Sequence, residues 1–294
     1  MRQADPVLIW PAFVATAMSA IVTSSVSPER WLITVVKEFR RARSMASSAS
    51  LSDPIWLTLT RMLLPAFSLM PRRRPQVAQL EIGDHYEPST RVEIGGDVYD
   101  YLELADGRLA VVLGDVTGHG IDAAADMAMA KFVFRSLARE YPEPGEFLAA
   151  ANEVVLDEIT AGKFVTMLYL VVDPRTGELA CATAGHPPPR IVAPGRAPEL
   201  VAAAGLALGV EGGQVYETAR VTLDPGAAAV LFTDGLLEAR REGELFGEER
   251  LDEALARHAG LPARELAKAL ADECRAFAGD LGDDLAIVVL KRSA

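Results

Sequence analysis

The sequence predicts an α+β fold built on antiparallel sheets. Two observations predict it: the apolar or alternating runs after residue 75 are mostly joined by tight turns, and the helical stretches come in consecutive pairs. Hairpin-joined strands with inserted helix pairs are typical of α+β proteins, whereas single helices alternating with strands would indicate parallel βαβ units. With 294 residues, half of them apolar, the chain is long enough for one large domain and an appendage.

Residues 1–71 are predicted to form a separate N-terminal helical segment. Residues 31–45 have the pattern of a basic amphipathic helix, residues 44–54 form a Ser/Ala-rich linker, and a second helix is predicted at 55–70. The larger domain is predicted to span residues 72–294.

Residues 7–26 carry no charge and are long enough to cross a bilayer. Pro11 and several hydroxyl side chains weaken this candidate anchor, while the basic residues between Lys37 and Arg43 favour an inside location for the chain after residue 26. Three interpretations stay open: a single membrane anchor, a buried or partner-facing helix, and a cleaved secretory signal, against which Asp5 argues.

The strands and helices of the larger domain are predicted from short-range patterns. Strands are predicted at 77–82, 97–104 and 108–114, with a hairpin turn at Asp106-Gly107 between the second and third. A helix pair is predicted at 121–140 and 144–160. Further strands are predicted at 164–172, 178–184, 190–192, 214–223 and 227–233, then helices at 247–259 and 262–279, and a last strand at 285–291.

Charge is distributed unevenly along the chain. The net charge is −12, but residues 1–75 hold ten Lys/Arg and four Asp/Glu, a balance of +6, whereas the rest hold 19 basic and 37 acidic residues, a balance of −18. An acidic body argues against a nucleic-acid ligand, because phosphate backbones are bound by Lys and Arg. It would instead attract divalent cations.

Acidic residues at four strand ends indicate a metal site. Each stands beside glycine or in a polar turn: Gly96-Asp97, Gly114-Asp115, Asp234-Gly235 and Gly282-Asp283-Asp284. Mg²⁺ and Mn²⁺ favour carboxylate, carbonyl and water ligands. Four histidines and two cysteines without zinc-site spacing argue against zinc.

The succession of motifs resembles the bacterial PPM-type (protein phosphatase 2C-like) serine/threonine phosphatases, in the branch of stage II sporulation protein E and the sigma-factor-regulating phosphatases. The resemblance covers residues 72–292. It is carried, in order, by IGGDVYD at 94–100, GDVTGHG at 114–120, FVTM at 164–167, AGHPP at 184–188, LG at 208–209, FTDGLLE at 232–238 and DD at 283–284.

This resemblance implies two packed antiparallel sheets flanked by helix pairs, with two divalent cations, Mn or Mg, at one end. By position, Asp115 would bridge the cations with the Val116 carbonyl beside it. Asp234 and Asp283 would hold one cation, Asp97 would serve the other, and Asp284 is the alternative to its neighbour Asp283.

The resemblance also implies an activity. A metal-activated water would hydrolyse phosphoserine or phosphothreonine on a bacterial signalling protein, such as an anti-sigma-factor antagonist, in the cytoplasm. The alternative is a catalytically silent pseudophosphatase that binds a partner. The N-terminal helices offer a homodimer contact, and residues 7–26 a membrane contact. Thr117 stands where eukaryotic members have a histidine thought to protonate the leaving group; His119 lies two residues further on. His186 is interpreted as a residue whose hydrogen bond stabilises its turn.

Overall fold

Antiparallel strands and paired helices succeed one another along the chain. A computed structural model describes residues 70–71, 73–89, 96–118, 121–159 and 162–294. The strands are β1 Leu80–Glu87, β2 Asp97–Glu103, β3 Leu109–Val116, β4 Val165–Val172, β5 Glu178–Ala184, β6 Arg190–Val192, β7 Glu199–Leu200, β8 Ala219–Thr222, β9 Ala228–Phe232, β10 Arg240–Arg241, β11 Glu244–Leu245 and β12 Leu285–Arg292. The helices are α1 Ile121–Leu137, α2 Pro144–Glu158, α3 Asp234–Glu238, α4 Gly247–His258 and α5 Ala263–Ala278.

One antiparallel sheet has the spatial order β2-β3-β4-β5-β8. Its first hairpin closes at the predicted turn, where Gly107 has a φ of 87° and the Arg108 N–H donates to Asp106 Oδ1 at 3.1 Å. The pairing register places Asp97 opposite Asp115, and Asp115 opposite Thr166 on the next strand. These residues therefore form a row across one end of the sheet.

The second sheet has the order β1-β12-β9-β6-β7. Its strands β1 and β12 pair antiparallel along their full length, from Leu80 opposite Arg292 to Glu87 opposite Leu285. Strands β10 and β11 form a separate two-stranded ribbon after α3.

The two sheets pack face to face, and a helix pair covers the outer face of each. The central cluster includes Leu113, Leu168, Leu231 and Val288. Helices α1 and α2 cover the first sheet through residues such as Phe134 and Phe147, and α4 and α5 cover the second through residues such as Leu255 and Leu270. This four-layer arrangement confirms the predicted α+β sandwich.

Burial on both faces explains the composition of the central strands. Strand side chains alternate between faces, and here both faces meet apolar partners, so β3 and β4 are almost continuously apolar. On β2, β3 and β9 the odd-numbered residues face the other sheet; on β1, β4 and β12 the even-numbered residues do.

An ion pair between a buried aspartate and a partly exposed arginine attaches α1 to the first sheet. Asp100 on β2 faces the helices and is fully buried, and its carboxylate accepts Arg135 Nε–H at 2.6 Å and Arg135 Nη2–H at 3.0 Å. Such a bidentate contact fixes the position of a helix more closely than apolar packing alone does.

The structure differs from the sequence expectation in several elements. Strand β1 runs from Leu80 to Glu87 instead of 77–82, because β12 supplies partners for the polar residues at its end. The predicted strand at 214–223 is reduced to β8, which pairs with four residues of β5. Helix α1 ends at Leu137, three residues early, and the sequence analysis missed α3, β7 and the β10–β11 ribbon.

The N-terminal segment, apart from residues 70–71, lies outside the described residues. The predicted anchor at 7–26, the linker at 44–54 and the two helices therefore stay predictions, as does the boundary at residue 72. Among the helices that the structure does describe, none combines the length and hydropathy of a membrane span.

Candidate metal centre

The first sheet brings Asp97 and Asp115 together at one end of the layer between the sheets. Asp97 is the first residue of β2, and Asp115 is the next-to-last residue of β3, directly opposite it. Both have the odd-numbered parity of Tyr99, Tyr101 and Leu113, which face the central layer. The two carboxylates thus lie on the same face of the sheet as these apolar residues, at the end of the layer between the sheets.

The second sheet supplies its acidic residues at the same end. Thr233 and Asp234 directly follow β9, and Asp283 and Asp284 directly precede β12. The Thr233 N–H donates to the Ala286 carbonyl at 3.0 Å, which extends the pairing of these strands into the turn. Two adjacent strands therefore present three carboxylates side by side.

A hydrogen bond from Thr233 joins the two sheets. Its hydroxyl donates to Asp97 Oδ2 at 2.7 Å and accepts the Ala286 N–H at 3.0 Å, and Thr233 has no exposed surface. The hydroxyl is thus fixed on both sides, and it fixes the orientation of the Asp97 carboxylate. Sequence reasoning missed this role, although Thr233 has the inward parity of Leu231.

Two glycines permit this close packing. A β-carbon on Gly96 would overlap the Asp115 carboxylate and the Val116 carbonyl, and one on Gly235 would overlap the Asp284 backbone carbonyl. Only glycine leaves room at these two places. The Val116 carbonyl, predicted as a ligand, lies beside Asp115 at the end of β3.

The carboxylates shift one another's pKa values. Burial raises the pKa of Asp97 well above its usual range, with repulsion from Asp115 next, against the opposing Thr233 hydrogen bond. Burial, with additional repulsion from Asp234, Asp283 and Asp284, raises the pKa of Asp115 to about 7. The pKa values of Asp234 and Asp283 are raised by burial and by neighbouring carboxylates. The cluster therefore holds more negative charge than protein donors neutralise.

Asp283 and Asp284 have different surroundings. Both oxygens of Asp284 are engaged: Oδ2 accepts the Tyr86 hydroxyl at 3.0 Å, and Oδ1 accepts the Ser89 N–H at 2.8 Å. Asp283 is exposed, and its Oδ1 accepts the Asp284 N–H at 2.9 Å. This geometry favours Asp283 as the residue available to a ligand, with Asp284 fixing the loop after β1.

The donor chemistry fits hard divalent cations. Every acidic group predicted for the site lies at this end, and all potential donors are carboxylate or carbonyl oxygens, which Mg²⁺ and Mn²⁺ prefer. Over residues 73–89, 96–118, 121–159 and 162–294, however, no three acidic, histidine or cysteine side chains already converge as a finished coordination group. The structure therefore places the predicted ligands in one cluster without showing their coordination.

The two residues considered for proton transfer have different outcomes. His119 lies outside the described residues. The Thr117 hydroxyl donates to the Phe164 carbonyl at 2.9 Å, and the Phe164 N–H donates back to it at 3.0 Å. Its hydrogen is thus used within the protein, and Thr117 ties the turn after β3 to the start of β4.

Comparisons with known proteins place the chain among phosphatases. Residues 105–293 match the family model described as Stage II sporulation protein E (SpoIIE). The chain is 29% identical over 227 residues to the phosphoserine phosphatase RsbU of Bacillus subtilis (strain 168), covering 76% of this chain and 67% of RsbU.

Solved structures share the fold. The RsbU and RsbW domains of Rv1364c from Mycobacterium tuberculosis match with a TM-score of 0.67 at 29% identity, covering 75% of this chain and 62% of that one, so less than two thirds of that protein is spanned. The catalytic domain of the serine/threonine phosphatase PstP, solved with two manganese ions, matches with a TM-score of 0.55, covering 73% and 99% of the two chains. At 13% identity, this second match shows the fold alone.

Replacing Thr233 with valine tests the link between the sheets. We expect Thr233→Val to lower the free energy of unfolding by about 1–3 kcal/mol, because the buried Ala286 N–H loses its acceptor. We also expect Mn²⁺ binding to weaken by about tenfold, because Asp97 loses its orienting donor. Denaturant unfolding and calorimetric titration measure the two effects. Thr233→Ser keeps the hydroxyl and should resemble wild type; a valine variant equal to wild type in both measurements would contradict the assigned link.

The raised pKa of Asp115 predicts how stability depends on pH without metal. The pKa of Asp115 is about 7 in the folded protein, against an ordinary value of 3.8. Protonation of Asp115 therefore stabilises the folded state below about pH 4, and this contribution to the free energy of unfolding is lost as the pH rises to about 7. In EDTA, the free energy of unfolding of Asp115→Asn relative to wild type should therefore rise by roughly 2 kcal/mol between pH 5 and pH 8, at about 1.4 kcal/mol per pKa unit.

Guanidinium unfolding at the two pH values measures this gain. The matched control is Asp106→Asn, which removes one carboxylate at the other end of the same hairpin and should show no gain. Parallel pH profiles for wild type and Asp115→Asn would show that Asp115 is not under charge repulsion.

Proposed function

The chain belongs to the stage II sporulation protein E family of PPM-type phosphatases, and from that premise we propose that it is a divalent-cation-dependent protein serine/threonine phosphatase. One observation carries the proposal: four acidic side chains, Asp97 and Asp115 from one sheet and Asp234 and Asp283 from the other, cluster at a single end of the sandwich. A partner-binding surface would gain nothing from crowded carboxylates that raise one another's pKa values.

We propose a distinct role for each residue of the cluster. Asp115, on which Asp234, Asp283 and Asp284 all act, would bridge two cations, with the Val116 carbonyl beside it. Asp234 and Asp283 would hold one cation and Asp97 would serve the other, while Asp284 anchors the loop. Bound Mn²⁺ or Mg²⁺ would activate a water and neutralise the phosphate charge.

The protein itself contributes rigidity and charge. Each carboxylate lies at the end of a strand covered on both faces, so its backbone moves little relative to its neighbours. Thr233 orients Asp97, and Gly96 and Gly235 allow the chains to approach closely. Because Thr117 is engaged with Phe164, we propose that solvent water protonates the leaving serine or threonine.

The proposed substrate is a phosphorylated bacterial signalling protein, such as an anti-sigma-factor antagonist, in the cytoplasm. Support comes from the 29% identity to a phosphoserine phosphatase. Charge is consistent with it: a body with a balance of −18 repels phosphate groups, so an anionic substrate would bind only where cations have reversed the local sign. The same charge disfavours a nucleic-acid ligand.

Hydrolysis by the full chain tests the function. We expect release of phosphate from p-nitrophenyl phosphate and from a phosphoserine protein with Mn²⁺ or Mg²⁺, and none in EDTA. Asp115→Asn and Asp234→Asn should each lose at least about a hundredfold in rate, since removing one preorganised electrostatic contact costs about 10²–10³. Circular dichroism would verify that both variants remain folded.

Asp106→Asn serves as the matched control and should keep wild-type turnover. Near wild-type turnover by Asp115→Asn would overturn the assigned centre. A folded, metal-loaded chain that hydrolyses no phosphoprotein would instead support the alternative, a pseudophosphatase that binds its partner without cleaving it.

We further propose that residues 1–71 tether or regulate the catalytic domain, through a membrane contact at 7–26 or a homodimer of the N-terminal helices. If residues 7–26 span a membrane, extraction of the full chain will require detergent, and deleting residues 1–30 will remove that requirement. Val14→Arg should act like the deletion, because a central arginine costs about 2.5–3.5 kcal/mol on insertion. A full chain that stays in solution without detergent would contradict the tether, and its mass by light scattering would then test the dimer.

A further inference from the structure

His186 is a buried histidine that the proposed chemistry does not use. It is 4% exposed, and its Nδ1 lies 3.1 Å from the Thr166 hydroxyl oxygen. Within the described part of the chain its Nε2 is buried without a hydrogen-bond partner. A buried polar atom without a partner costs about 1–3 kcal/mol, so this ring is an expensive way to stabilise a turn.

The position of His186 is fixed by the backbone before it. Gly185 has a φ of 69°, its N–H donates to the Gly205 carbonyl at 2.7 Å, and it bridges to Met167 of β4. A side chain at Gly185 would crowd Ala207. The imidazole is therefore held against β4.

Thr166, the residue that His186 contacts, lies in the row across the end of the first sheet that also contains Asp97 and Asp115. It lies directly opposite Asp115 in the β3–β4 ladder, and both have the parity that faces the central layer. Residues directly opposite in an antiparallel pair have Cβ atoms about 4.5–5.5 Å apart. The Thr166 hydroxyl is thus within reach of the Asp115 carboxylate.

The ring is neutral, which limits the hydrogen bonds it can make. Burial lowers the pKa of His186 to about 3. A neutral imidazole has one N–H and one acceptor nitrogen. In the tautomer with its hydrogen on Nε2, Nδ1 is the acceptor that faces the Thr166 hydroxyl.

We propose that His186 is a positioning residue that acts through Thr166: its Nδ1 accepts the Thr166 hydroxyl hydrogen and so prevents that hydroxyl from donating to Asp115. The Thr166 hydroxyl then occupies neither oxygen of Asp115, and that side of the carboxylate stays available to divalent cations. If the hydroxyl instead donated to Asp115, it would compete with a cation for one oxygen. The inference rests on the proposed role of Asp115 as a metal ligand, and it assigns His186 a contact with neither substrate nor cation.

Replacing His186 with asparagine or with glutamine tests the roles of the two ring nitrogens one at a time. In His186→Asn the amide oxygen takes the place of Nδ1 and can still accept from Thr166, whereas the longer side chain of His186→Gln places its amide where Nε2 lies. We expect His186→Gln to weaken Mn²⁺ binding by the full chain about tenfold, as loss of an outer hydrogen-bond partner does, and His186→Asn to remain within about threefold of wild type.

A double-mutant cycle distinguishes positioning from simple turn stabilisation. Thr166→Val removes the hydroxyl, so nothing is left for His186 to hold back. Mn²⁺ should therefore bind Thr166→Val with near wild-type affinity, and the Thr166→Val, His186→Gln double variant as tightly as Thr166→Val alone. The readouts are the calorimetric dissociation constant for Mn²⁺ and the melting temperature in EDTA.

Three results with the variants would overturn the inference. Equal weakening by His186→Asn and His186→Gln would show that the ring only supports its turn, as would a tenfold loss that persists in the Thr166→Val background. Wild-type affinity in His186→Gln would show no role toward Asp115. The readout of the cycle is metal binding and not hydrolysis. A wild-type chain that binds Mn²⁺ but hydrolyses no phosphoprotein would contradict the proposed function alone, and the cycle would still test the role of His186. A wild-type chain that binds no Mn²⁺ would contradict both the proposed function and this inference.

Discussion

Face-to-face packing of the two sheets decides where every acidic group of the candidate centre lies. Because side chains alternate along a strand, the face that supplies Leu113 and Leu231 to the central layer also supplies Asp115 and Thr233 at its open end. The apolar side chains of the layer fix how the two sheets lie on each other, and this also fixes the positions of the polar side chains at the open end. The Thr233 to Asp97 hydrogen bond shows how closely the two ends fit.

Placing several carboxylates together lowers the stability of the folded protein and creates a potential cation-binding site. Crowded carboxylates that repel one another destabilise the metal-free protein, and the apolar layers on either side must compensate. The protein limits the cost by neutralising some groups and not others. Asp284 receives donors from Tyr86 and Ser89, and Asp97 receives one from Thr233. The pKa of Asp97 nevertheless stays well above its usual range, and that of Asp115 is raised to about 7. Both of these carboxylates are proposed to serve the cations.

Local patterns predicted the elements well where strand pairing agrees with composition. The hairpin at Asp106-Gly107, the helix pairs and the acidic strand ends all carry short-range signals. Strand β1 was misplaced because its pairing with β12 is a long-range contact, and polar residues such as Asp84 and His85 do not predict a strand from local sequence. The roles of Thr233 and Thr166 escaped for a similar reason: their inward parity was visible in the sequence, but the residue each would meet across a strand or sheet was not. The choice between Asp283 and Asp284 likewise depended on Tyr86 and Ser89, almost two hundred residues earlier.

The pairing of β1 with β12 has a consequence for synthesis of the protein. Tyr86 and Asp284 are separated by 198 positions, and Asp97 and Thr233 by 136. Contacts of such high order form late, because the entropy of closing a long loop must be overcome first. On the ribosome, a nascent chain that ends before β12 lacks the neighbour of β1, and one that ends before residue 283 lacks Asp283 itself. The emerging polypeptide therefore cannot bring the proposed cation ligands together before the eight residues of β12 have left the exit tunnel and closed the second sheet.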